Sequence, residues 1–470
     1  MSGIVFAGLS PHPPILIPEI GNENLQEIED TREGMKRFAK RVKDSNPDLV
    51  ITISPHGPVF SDAISIMNTQ ELKGDFGQFG FPELELNYEL QEEMVEEIVK
   101  VTKQEDITVA RIDKSTARKF EINPKLDHGA LVPLYYLAEA DVEDIPIIPI
   151  TMGMLPYEEL YKFGKIIQLI AMKLEYRVAI IASGDLSHRL TPDAPAGYNS
   201  QAKEFDKKLV QALKEDKIED IFNLDQQLIE KAGECGLRPI IIMLGAIDGL
   251  DVSNELLSYE GPFGVGYGVL TYEIEGEDED RRQLDQLLAD RNAKLKQVRE
   301  EESKLVKLAR KAVEKYALNR EKILPPEDLT PQMQKEAGVF VSIKKHGQLR
   351  GCIGTTEPVQ ENIAKEIIRN SLSAGFNDPR FEEVNLNELD DLIYTVDILE
   401  EPESIDSLDE LDPQKFGVIV DKGQNSGLLL PRLEGVDTVE KQVEIAKRKA
   451  GLSPTEDDIE LKRFKVTRYK

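Results

Sequence analysis

The sequence predicts an α/β N-terminal domain, with a largely parallel central sheet flanked by helices, followed by a smaller α+β domain. Three observations carry this. Short apolar runs alternate with helically spaced segments through residues 1–275. An acidic run beginning at 275 then opens a strongly charged helical stretch. Beyond it, strands and helices mix without regular alternation.

The first four strands are "GIVFAGL" (3–9), "DLVITIS" (48–54), "IPIIPIT" (145–151) and "RVAIIAS" (177–183). Each is β-rich and almost uninterrupted in apolar character, as strands covered on both faces are. Helical spacing occupies 23–44, 89–103, 157–175 and 197–222. "GPFGVGYGVLTYEIE" (261–275) has closely spaced glycines but runs into a strand pattern. A dinucleotide loop needs a helix amino terminus at that point, so the segment reads as a Gly-bearing final strand. The stretch 275–318 begins "EGEDED" and becomes helical. The expected division is 1–275, an acidic helical linker at 276–300, and a second domain at 301–470. There, "AGVFVSIKK" (337–345) and "DLIYTVDIL" (391–399) read as strands, with helices near 358–374 and 438–451.

Composition removes several function classes. The 470-residue chain carries a formal net charge of −29, a field that repels polyanions, so no nucleic-acid partner is expected. Its two cysteines are far apart in sequence, which excludes a disulfide framework and fits a reducing cytosol. The first 31 residues hold no Lys or Arg, and prolines break the early apolar run, so a signal peptide is not expected. The most apolar later segment, "GLRPIIIMLGAIDGL", contains Arg238 and Asp248 and is too short to span a bilayer. A cytoplasmic protein without a membrane partner is the expectation, with its oligomeric state left open.

The chemistry concentrates in histidine. Four of the five histidines lie in the first domain: His12, His56, His128 and His188. His12 follows "IVFAGLSP", His56 follows "LVITISP", and His188 follows "VAIIASGDLS". All three therefore sit just past the carboxyl end of a strand, the edge at which open α/β sheets bind ligands. Histidine is both the commonest metal ligand and the usual general base near neutral pH. A metal site with an adjacent base is the reading that uses all three. His128 opens a helix in "LDHGALVPLYYL", with Asp127 as its cap. "GECGLRPI" offers two candidates for a third ligand. Glu234 would complete a two-His-one-carboxylate set suited to Fe(II), whereas Cys235 would be softer and tilt the site toward zinc or a modified iron centre.

"SPHPP", "SPHG", "DHGALVPL" and "SGDLSH" resemble the motifs of the class III extradiol dioxygenase catalytic subunit superfamily and its MEMO-like relatives, over about residues 1–275. The resemblance implies that His12 and His56 are iron ligands. It makes His188 the acid/base residue and His128 a second active-site histidine near an aromatic, catechol-like substrate. "CGLRPI" resembles the MEMO-like segment in which a cysteine takes the ligand place, and Asp185 also follows the MEMO-like pattern.

In the second domain "LRGCIGTTEP" (349–358), "SAGFNDPRF" (373–381) and "DILEEPESI" (397–405) resemble the AMMECR1 family. The fused arrangement resembles the AmmeMemoRadiSam group, which links AMMECR1-like, MEMO-like and radical S-adenosylmethionine proteins and so implies a partner of the last kind. Cys352 lies between two glycines with Arg350 nearby, a setting in which a cation lowers a thiol pKa. A reactive Cys352 competes there with an inert strand–turn cysteine. "NDPR" (377–380) reads as a turn that brings Arg380 to the Cys352 loop, and His346 as part of an exposed turn.

Overall fold

The structure, a computed structural model, describes residues 2–345, 348–433 and 435–470. His346 therefore lies outside the described residues. The chain divides into two compact units, Met1–Arg291 and Asn292–Lys470.

Among the described residues the first unit contains ten strands: β1 (Gly3–Ser10), β2 (Leu49–Ser54), β3 (Ile64–Met67), β4 (Glu71–Phe76), β5 (Phe81–Glu89), β6 (Val109–Ile112), β7 (Ile147–Thr151), β8 (Arg177–Ser183), β9 (Leu250–Glu260) and β10 (Tyr267–Glu277). Eight of them form one mixed sheet in the order β6-β3-β7-β2-β8-β1-β10-β9, and β4 with β5 makes a separate hairpin. At its centre β7, β2, β8 and β1 run parallel, so their carboxyl ends share one edge. The register is close: Ser10 pairs with Ser183, and Ser54 with Thr151.

Every residue of β2 and β7 is buried, as apolar runs without alternation require. Helices Tyr157–Lys173 and Leu237–Ala246 supply cover as a tightly joined pair. A Cβ on Gly164 would lie 2.0 Å from the Ile242 carbonyl oxygen, and one on Gly245 2.0 Å from that of Tyr161. Only glycines let these helix backbones approach so closely. Helices Glu29–Asp44 and His128–Ala138 form a second contacting pair, and Phe38 of the first meets Phe6 of β1 edge-on at 5.2 Å.

Two helical expectations need correction. The 197–222 segment is two helices, Ala202–Lys214 and Ile218–Phe222, separated where Asp216 takes a left-handed φ of 52°. The 275–318 segment is also two, Leu284–Glu301 and Lys304–Asn319. Ser303 separates them and caps the second by accepting from the Val306 N–H at 3.3 Å.

The second unit is α+β. Its strands are β11 (Val339–Lys345), β12 (Gln348–Gly354), β13 (Leu392–Leu399), β14 (Glu403–Ile405), β15 (Gly417–Lys422), β16 (Asn425–Leu429), β17 (Glu460–Phe464) and β18 (Val466–Tyr469). They make two antiparallel sheets, β12-β11-β13-β18 and β14-β17-β15-β16. Helices Lys304–Asn319 and Ile363–Phe376 pack on the first, and Val439–Lys449 on the second.

Candidate metal centre

Proline decides where β1 and β2 leave the sheet. Pro11 and Pro55 have no N–H to give the ladder and hold the preceding serine extended, so His12 and His56 start the loops at the shared edge. From β8 the chain turns at Gly184. A Cβ there would lie 2.2 Å from the Gly236 Cα, so the loop carrying Asp185 and His188 and the loop carrying Cys235 touch backbone to backbone.

The result is one cluster. The Nε2 atoms of His12 and His56 are 2.9 Å apart. The Cys235 Sγ lies 3.7 Å from His12 Nε2 and 3.6 Å from His188 Nε2. One ligand atom from each of His12, His56 and Cys235 lies within 4.8 Å of the others. His128 stacks on His56 at 4.4 Å between ring centroids and meets Phe79 edge-on at 5.7 Å. Asp185 is buried, accepts the His12 backbone N–H at 3.0 Å, and places its other oxygen 3.8 Å from His12 Nε2.

Glu234 does not join the cluster. Its carboxylate accepts the Leu237 N–H at 2.6 Å, serving the amino terminus of the helix that follows. Of the two candidates for a third ligand, the fold brings Cys235 to the histidines and turns Glu234 away.

The His12 tautomer follows from hydrogen-bond counting. Ser183 Oγ donates its single proton to the Gly129 carbonyl at 2.5 Å, so toward His12 Nδ1, 2.9 Å away, it can only accept. His12 therefore carries its proton on Nδ1, and the Nε2 lone pair faces His56 and Cys235. Orientation of a ligating imidazole through its other nitrogen is the usual support of a metal site. His56 is held through its main chain: its N–H donates to Ser54 Oγ at 3.1 Å, and that hydroxyl donates to Asp127 at 2.5 Å. Asp127 also accepts the Gly129 N–H at 2.9 Å, capping the helix that carries His128.

Burial lowers the pKa of His12 well below the ordinary imidazole value, with further lowering from His56, His128 and His188. Desolvation also lowers His56 and His188, and brings His128 down to about 4. All four are neutral at pH 7, the form that ligates. Burial raises Asp185 to about 7 and pushes the Cys235 thiol well up, so this cysteine keeps its proton until a cation displaces it.

These residues fit a metal ion. Bonds of about 2.0–2.1 Å to nitrogen and about 2.3 Å to sulfur set tetrahedral donor separations near 3.3–3.6 Å. The sulfur–nitrogen distance agrees, and the nitrogen pair is a few tenths of an ångström closer. Beside His56 and His128 a cleft of about 720 Å³ opens, walled by Asp75, Gln78, Asn123 and Lys125. An ion pair of 2.5 Å joins Lys125 and Asp75 there.

Ser54 and Ser183 escaped the sequence reading. Their signal was present in the shared "SPH" of 10–12 and 54–56 and in strand-terminal serines on β1, β2 and β8.

In the second unit Cys352 sits on edge strand β12. Its N–H donates to Asp378 at 2.9 Å, its carbonyl accepts from Arg380 at 3.0 Å, and its sulfur receives the Ser342 hydroxyl at 3.2 Å. The "NDPR" turn thus reaches Cys352. Arg350 is committed elsewhere, holding Glu388 through two bonds of 2.9 and 2.8 Å. Among the described residues no helix is long and apolar enough to cross a membrane.

Residues 7–270 fit the family described as the catalytic LigB subunit of aromatic ring-opening dioxygenase, and residues 306–469 fit AMMECR1. A Clostridium acetobutylicum protein is 41% identical over 464 residues, covering 98% of both chains. A Thermotoga maritima protein is 49% identical over 168 residues, 35% of this chain and 96% of its own. A solved Pyrococcus horikoshii structure, titled as an uncharacterized protein, shares 33% identity with a TM-score of 0.33, covering 35% of this chain and 88% of that one. The chain belongs, through its first unit, to the family of catalytic LigB subunits of aromatic ring-opening dioxygenases, and carries an AMMECR1 domain in the same polypeptide.

Proposed function

We propose that the first unit is a non-haem Fe(II)-dependent, extradiol dioxygenase-type enzyme acting on a catechol-like or other aromatic small molecule in the cytoplasm. The observation that carries the reading is the His12 Nε2 lone pair. Ser183 fixes its direction toward His56 Nε2 and Cys235 Sγ, the two donors that complete a cation site.

Iron bound to such a set would supply Lewis acidity and redox chemistry toward an aromatic diol and dioxygen. His12, His56 and Cys235 would hold it. His188 is neutral at pH 7, so its imidazole can take a proton from a substrate hydroxyl and return it later in the turnover. His128, stacked on His56 and flanked by Phe79, offers a flat wall to an aromatic ring at the cleft mouth.

Cys235 in the ligand place favours a second reading: a metal-binding module that does not cleave rings, holds iron or zinc, and works with a radical S-adenosylmethionine protein. Thiolate ligation is softer than carboxylate and suits zinc as readily.

Oxygen uptake and ring-opened product across a panel of catechols, using iron-loaded protein, separate the two. The first reading expects turnover with at least one diol and a 10²- to 10⁴-fold loss in His188→Gln, the range for a general acid/base. No oxygen uptake at full iron occupancy with any diol favours the second.

A further inference from the structure

We infer that Asp206, with Tyr259, is the positioning pair for His188. This inference rests on the metal-site reading above.

His12 and His188 are oriented by different means. The His12 ring is fixed by the Ser183 hydroxyl on Nδ1. Among the described residues, the ring nitrogens of His188 come within hydrogen-bonding range only of the Cys235 sulfur, at 3.6 Å. Among the described residues no second side chain hydrogen-bonds the His188 ring, so its backbone is what fixes its place.

That backbone is held from two sides. The His188 N–H and the Ser187 hydroxyl both donate to the Ala232 carbonyl, each at 3.1 Å. Leu186 N–H donates to the Gly266 carbonyl, and Gly266 N–H returns a bond to Ser187, both at 2.8 Å. The remaining donor, the Ser187 N–H, goes to Asp206 at 2.8 Å. The other Asp206 oxygen accepts the Tyr259 hydroxyl at 2.7 Å.

Asp206 is fully buried, and among the described residues no cation pairs with it. Burying a carboxylate on two neutral donors is costly, and packing alone gives no reason for it. Gly266 is shaped around it: a Cβ at that position would lie 2.2 Å from Asp206 Oδ2. Asp206 therefore sits one residue behind His188 in a space cleared for it, and fixes the peptide from which the imidazole projects. Asp206 touches no ligand of the proposed site and acts only through His188.

The test uses full-length protein loaded with Co(II), whose thiolate charge-transfer band reports Cys235 ligation, and azide as a probe of the open coordination position. Asp206→Ala should retain one cobalt per chain and the band while weakening azide binding about fivefold. Asp206→Asn, which can still accept from Ser187, should restore most of the affinity. In a His188→Gln background, Asp206→Ala should cause no further loss. Tyr259→Phe, a milder change that keeps the carboxylate, gives a smaller effect of the same sign and serves if Asp206→Ala does not fold. Equal azide losses with and without His188, or unchanged azide affinity in both Asp206→Ala and Tyr259→Phe, would overturn the inference. Failure of the parent protein to take up cobalt is a different result and overturns the metal reading itself, and with it this inference.

Discussion

The chain has two cysteines, and their surroundings differ in what each thiol is offered. Cys235 faces imidazole nitrogens on two sides, 3.7 and 3.6 Å away, one of them a lone pair aimed by Ser183. Cys352 faces a hydroxyl, while the buried Asp378 and the exposed Arg380, paired with each other, take both its backbone groups. Asp378 and Arg380 do for the outer edge of β12 what a further strand would do, satisfying an exposed N–H and C=O and blunting the edge. The Cys235 sulfur also takes the Asp185 N–H at 3.4 Å, so it lies in a cluster of nitrogen donors drawn from separate loops. The surroundings of the other cysteine are satisfied by the fold. The same residue type beside glycines thus lies in a histidine cluster in one unit and on a closed strand edge in the other.

The contrast can be broken most severely at Gly184. Replacing it with Ala forces a methyl to 2.2 Å from the Gly236 Cα, a backbone atom that cannot swing aside. A loss of about 3 kcal/mol in denaturant unfolding is expected, together with lost metal uptake, because the loops that carry His188 and Cys235 must separate. Stability within 0.5 kcal/mol of the parent (roughly the spread of inconsequential surface changes) contradicts the close approach.

Asp378→Ala probes the other cysteine. It removes the acceptor for the Cys352 N–H and the partner of Arg380, with an expected cost of about 2 kcal/mol. Metal stoichiometry should not change. Loss of metal in this variant would mean that the two cysteine environments are not separate.

The smallest effect is a slope. Burial keeps the Cys235 thiol protonated while His12 and His56 are already neutral, so metal binding releases one proton, from the sulfur. Apparent affinity should therefore rise about tenfold per pH unit from pH 7 upward, and Cys235→Ser should flatten the rise. Titrations at pH 7 and 8 that agree within a factor of two argue against thiolate ligation.

Much of this was legible in the sequence because the signals were local. Uninterrupted apolar runs ending in Ser-Pro-His or Ser-Gly-Asp identified β1, β2 and β8 and the edge on which His12, His56 and His188 meet. Strands β3 and β6, four residues each, were too short to read by periodicity. β9 alternates, but its polar positions resemble loop composition. Choosing between Glu234 and Cys235 required the direction of a side chain. Neighbours in sequence at a helix start face different ways, and only the Leu237 N–H reveals that Glu234 is taken. The Asp206 contact joins residues 19 apart through a backbone group, which no residue pattern records.

The central claim is that His12, His56 and Cys235 hold one metal ion, and anaerobic Fe(II) loading followed by metal analysis tests it most directly. Wild-type protein should bind one iron per chain, the His12→Ala/His56→Ala double variant none, and Cys235→Ser should bind at least tenfold more weakly. Equal iron content in wild type and the double variant would contradict the account.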